Sequence, residues 1–151
     1  MKLIKSIRYI LVFSLITLFA GCSSTKYDDP RHENLTDLKA FHVKFIQDYT
    51  EAETKTETTT WDQASVKSRC DQGELKFKDA YTYARSKDKG DDTGSKAVKE
   101  LNAQFSRNCA MLLKRKKHFS KTFAEGEDGI LSEIKQQYDL AIAGEESRNP
   151  K

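Results

Sequence analysis

Side chains able to do chemistry are few in this chain, and their spacing excludes most of it. Cys70 and Cys109 lie far too wide apart for a redox CxxC pair. The three histidines, His32, His42 and His118, form no metal-ligand spacing such as HExxH. His42 and Met111 have the residue types of a haem ligand pair in a bundle core, but nothing beyond type supports that role. Histidines on the surface or at helix boundaries are expected instead. The acidic turn near residue 90 fails as a calcium loop: counted from Asp88, the third position is Gly90 and the twelfth is Lys99, where an EF-hand needs an oxygen ligand and a bidentate Glu. There is no GxSxG elbow and no phosphate-cradling glycine loop. Carboxylates are plentiful but fall on polar helix faces, where nothing raises their pKa for acid catalysis. No enzyme activity, metal or cofactor is expected. What remains is Lys114-Arg115-Lys116-Lys117-His118. As part of a helix this run wraps more than one turn, which sets Lys116 near the apolar line from Leu112 to Phe119 and makes its stem snorkel outward. Lys114, Arg115, Lys117 and His118 are then candidate docking residues for an acidic partner or for anionic headgroups.

The amino terminus carries a different message. Lys2, Lys5 and Arg8 precede an apolar run of 12 residues, Tyr9 to Ala20, that ends at Gly21-Cys22. The run is too short to span a bilayer, and its basic start and small-residue end have the form of a secretory leader. With its tail FAGC it resembles a bacterial lipoprotein export signal, although Phe19 stands where the family usually has Leu. The resemblance implies removal of residues 1–21, lipidation of Cys22 through sulfur, and a membrane-anchored mature chain whose one covalent addition is that lipid. Ser23 follows, where an Asp would mark inner-membrane retention in such lipoproteins; the expectation is an outer-membrane anchor facing the periplasm. Once Cys22 is assigned to lipid, Cys70 and Cys109 are an even pair in an oxidising compartment. A disulfide follows.

Removing the leader also changes the electrostatics. The full chain has 26 Lys and Arg against 23 Asp and Glu, and the leader holds three of those cations and no acid, so the mature chain is balanced. A balanced chain has no global field to gather nucleic acid, which excludes it as a partner.

The elements that must position these residues are helical. Residues 22–33 are polar with one proline and are expected to form a lipidated flexible tether. Leu35, Leu38, Phe41, Phe45 and Tyr49 then recur at steps of three and four, predicting a first helix begun by Asn34 or Thr36 and ended by the Thr-rich segment 50–60. Thr60 and Gln63 have capping-box spacing, predicting a second helix from Trp61 with apolar positions Ala64, Val66, Cys70, Leu75, Phe77, Tyr81 and Ala84, and a kink or restart near Asp71. After the turn at 86–95, Val98, Leu101, Phe105, Cys109, Leu112, Phe119 and Phe123 share one stripe of a third helix. Ile130, Ile134, Tyr138 and Ala141 predict a fourth, ending at Gly144, with 145–151 as a disordered tail. The midpoint of Cys70 and Cys109 falls in the Gly90-Asp91 turn, so in an antiparallel hairpin they face each other. The expected fold is all-α: an antiparallel up-and-down bundle of about four helices over 34–144, with a disulfide between helices two and three.

Function enters here as an expectation only. A small lipid-anchored bundle without catalytic motifs suits a non-catalytic role in binding another envelope protein, similar in size, lipobox and helicity to secretion pilotins, exclusion proteins and inhibitors. The alternative is a small-ligand or sensor bundle in which Trp61, Phe77, Tyr81 and Tyr83 line a pocket.

Overall fold

The computed structural model describes residues 27–51, 61–88, 90 and 92–148. The leader, Cys22, the Thr-rich linker with Thr60, and residues 149–151 lie outside the described residues. Four long helices run α1 Asp29–Asp48, α2 Gln63–Lys87, α3 Thr93–Arg115 and α5 Ile130–Glu146, with a five-residue α4, Lys121–Glu125, between the last two.

The bundle is up-and-down, and its pairings give the direction of each helix. Arg31 meets Glu145 while Lys39 meets Asp139, so α1 and α5 are antiparallel. Tyr83 meets Asp28 while Arg69 meets Asp48, so α1 and α2 are antiparallel too. Cys70 is bonded to Cys109 with Cα atoms 5.9 Å apart, and that disulfide ties α2 to α3 as the symmetric spacing about the turn requires. Across the diagonal, Phe41 and His42 lie beside Phe105 and Asn108, parallel in register.

Each long helix buries a stripe with steps of three and four, the spacing that keeps side chains on one face. On α1 the stripe is Leu35, Leu38, His42, Phe45 and Tyr49, with Ile46 beside it. On α2 it is Val66, Cys70, Gly73, Phe77, Ala80 and Ala84. This corrects the expected α2 face: Leu75 is 61% exposed and Tyr81 38%. Their places are taken by Gly73 and Ala80, small residues that let a bulky partner approach. A Cβ at Gly73 would overlap the Phe105 ring and crowd Phe41, and α2 is one unbroken helix through Asp71 and Gly73, with no restart there.

Several boundaries differ from the sequence expectation. Helix α1 starts at Asp29, not beyond Asn34, because Asp28 caps it by accepting the Arg31 N–H at 3.1 Å and Pro30 sits in the first turn, where its missing N–H costs nothing. The last part of the expected tether is therefore structured. Helix α2 is capped by Asp62, which accepts the Ser65 N–H at 2.7 Å. Helix α5 runs through Gly144 to Glu146, so the start of the expected disordered tail is helical. Helix α3 stops at Arg115, and Phe119 and Phe123 reach the core from the segment beyond it. That segment is clipped to the end of α1: Phe119 N–H donates to the Tyr49 carbonyl and Glu51 N–H to the Phe119 carbonyl, each at 2.8 Å.

Candidate functional site

Three places in the bundle hold polar chemistry: its two ends and its centre. The end of α3 holds the basic run. Lys116 takes a left-handed conformation, φ 55° and ψ 32°, and its N–H closes the helix on the Leu112 carbonyl at 3.1 Å. Glycine or asparagine is usual at such a cap; a lysine there costs about 1 kcal/mol. Among the described residues it is the one non-glycine with positive φ. The run therefore does not wrap a helix, which corrects the sequence picture: Lys116 is not near an apolar line but turns off the helix end into solvent, exposed with Lys114 and Lys117. Sequence reasoning missed it because a left-handed cap at lysine has no residue-type signal.

The other two candidate docking residues are engaged differently. Arg115 lies over the rings of Phe119 and Phe123, 5.9 and 5.2 Å from their centroids, a cation–π seat that holds its guanidinium against the bundle. His118 is half-buried and stacked on Tyr49 with centroids 6.2 Å apart. Elsewhere cations are drawn into ion pairs, Lys44 and Arg69 with Asp48 and Lys67 with Asp71. Among the described residues, Lys114, Lys116 and Lys117 have no carboxylate within ion-pairing distance.

The opposite end is built around Arg31. This side chain, which the sequence placed in the tether, is 4% exposed. It donates to Asp88 Oδ1 at 3.2 Å and to Glu145 Oε1 at 3.0 Å. Asp88 also accepts the Ser95 N–H at the start of α3, and Glu145 accepts the Asp28 N–H and one from Arg148. One guanidinium thus joins the start of α1, the end of α2 and the end of α5. Small residues make room for it: a Cβ at Gly94 would meet Nη1 at 2.9 Å. The cleft alongside measures about 20 Å³, room for about one water.

At the centre His42 is fully buried, which corrects its expected surface or boundary position. Its Nε2 lies 3.0 Å from Asn108 Nδ2 and its Nδ1 3.4 Å from the Tyr138 hydroxyl. Asn108 Nδ2 donates to Nε2, so the ring proton sits on Nδ1 and faces Tyr138. Phe105 and Phe77 close around the imidazole edge-on. Both nitrogens are occupied by neutral groups, and the ring is a core polar contact with no nitrogen left for a metal. Burial without a neighbouring charge pushes its pKa from 6.5 down to about 3 and pushes the Tyr138 hydroxyl up.

That shift fixes a pH dependence. The folded state prefers neutral His42, so the unfolded chain binds one more proton between about 3 and 6.5; the stability is whole above 6.5 and is lost as pH falls. Between pH 7 and pH 5, above the carboxylate range, the loss should be about 2 kcal/mol. Urea unfolding at the two pH values should show it in the native chain and not in His42→Gln. Equal slopes for both would refute it.

The aromatic residues suggested for a ligand pocket do not converge. Phe77 is in the core against Phe105, Tyr81 faces solvent, and Tyr83 donates to Asp28. Trp61 lies at the opposite end of α2, roughly 30 Å from Tyr83 along the helix. Among the described residues no cluster of His, Cys, Asp and Glu is arranged to hold a metal, and no helix is long and apolar enough to cross a membrane. Comparison with protein-family models, curated proteins and solved structures found no match to the chain.

Proposed function

We propose that this is a lipid-anchored envelope protein, held through Cys22 and acting by docking another protein, not by catalysis. The observation that carries the reading is the contrast between a filled interior and a cationic end. Large side chains occupy the bundle axis, and the reactive groups there are neutralised or bonded to one another. The exposed lysines at the end of α3 are the chemistry that remains available to a partner.

The anchor gives the bundle a direction. Five residues lie between Cys22 and Asp28, where the hydrogen-bonded fold begins, a reach of at most about 20 Å. The Arg31 end then faces the lipid. Helix α3, with 23 residues, carries Lys114 about 35 Å farther out. Ser23 favours the outer membrane with the bundle in the periplasm.

Mass analysis of the chain taken from membranes tests the anchor. The expected product begins at an acylated Cys22, and Cys22→Ala should abolish palmitate incorporation. A mature chain with Cys22 unmodified would contradict the proposal.

A further inference from the structure

We propose that Lys114, Lys116 and Lys117 form a cationic fork that binds an acidic segment of a partner protein; the inference deepens the docking role given above and rests on it. Three observations carry it. The lysines are exposed, fall within four consecutive residues at one helix end and, among the described residues, have no carboxylate partner, whereas Lys39, Lys44, Lys67 and Arg69 are ion-paired. Lys116 occupies a left-handed position at which Asn or Gly would relieve the backbone, so the fold holds a cation where stability alone favours its absence. Arg115, the one side chain in the run that can grip a phosphate in a bidentate fork, is instead seated on Phe119 and Phe123.

Those facts select the occupant. Flexible ammonium groups at one helix end suit the spread carboxylates of an acidic polypeptide. Headgroups of the anchoring membrane are disfavoured, since the fork stands about 35 Å beyond the Arg31 end and surface charges are screened within about 8 to 10 Å at moderate salt. The negative end of the α3 dipole, equivalent to about half a unit charge, does not cancel three ammonium groups.

The test uses the full chain in neutral phosphatidylcholine vesicles and a fluorescent glutamate-rich peptide of about 12 residues, long enough to span the fork. Lys114→Glu with Lys117→Glu should weaken binding by roughly tenfold, and added salt should weaken it further. Lys78→Glu with Lys99→Glu makes the same change of net charge at exposed sites away from the fork and should leave affinity within about twofold. Lys116→Asn should keep the melting temperature or raise it by a few degrees while weakening the peptide several-fold. A raised melt with unchanged binding overturns the proposal, as does equal loss in both charge-reversal pairs. Capture of phosphatidylglycerol vesicles without capture of the peptide also overturns it. The mass of the same preparations reports acylation of Cys22 separately, so failure of the fork is distinguishable from failure of the anchor.

Discussion

Arg31→Ala should lower the unfolding free energy by about 3 to 5 kcal/mol, a large part of the stability of a domain this size. The cause is less the loss of two hydrogen bonds than what stays behind. Asp88 and Glu145, whose side chains are 1% and 4% exposed, would remain buried without the guanidinium that bridges them. Arg148 pairs with Glu145 at 3.1 Å and relieves that carboxylate in part. Arg31→Lys should recover part of the loss, because one ammonium cannot bridge both carboxylates as the planar fork does. Urea unfolding measures this, and a loss below about 1 kcal/mol would show that the network is a surface ion pair in energy if not in position. The network also lies where the chain enters the fold from its proposed anchor, so any pull on the lipid reaches the bundle first at Asp28, whose N–H is bonded to Glu145.

The second large effect belongs to the disulfide. Cys70→Ala with Cys109→Ala should destabilise by about 4 kcal/mol, since the bridge closes a loop with a sequence separation of 39 and removes that freedom from the unfolded chain. Both cysteines are buried, so a small cavity adds to the loss. Reducing agent on the native chain should reproduce most of the shift in melting temperature. A melt indifferent to both changes would mean that the α2–α3 hairpin is held by packing alone. Phe105 against Phe77 and the close approach at Gly73 are the contacts that would then be carrying it.

How much of this was legible depended on whether a residue's place was set locally. The α3 stripe from Val98 to Leu112 is strongly periodic, and all of its expected members are buried. The disulfide was legible because spacing about a turn is a geometric quantity that sequence preserves. Arg31 was not, because its burial depends on carboxylates 57 and 114 residues away and its own segment is polar with a proline. The α2 stripe was blurred because the core uses Gly73 and Ala80, which a search for large apolar residues passes over. His42 did leave a signal. Taking it in place of Phe41 makes the α1 steps run three-four-three-four, and Phe41 is only partly buried beneath Arg69 and Lys76. The basic run was legible in composition but not in shape, since the left-handed turn at Lys116 follows no residue preference and precedes a segment clipped to Tyr49 from far along the chain.

In the proposed arrangement the partner meets the end of the bundle farthest from the lipid. A photocrosslinking side chain at Lys117 of the full lipidated chain, irradiated in its own envelope, tests that most directly, with the same group at Lys99 as the comparison. A discrete polypeptide adduct is expected from position 117 that disappears when Lys114→Glu and Lys116→Glu are added, and none from position 99. Adducts of equal yield from both positions, or lipid as the sole adduct at 117, would contradict it.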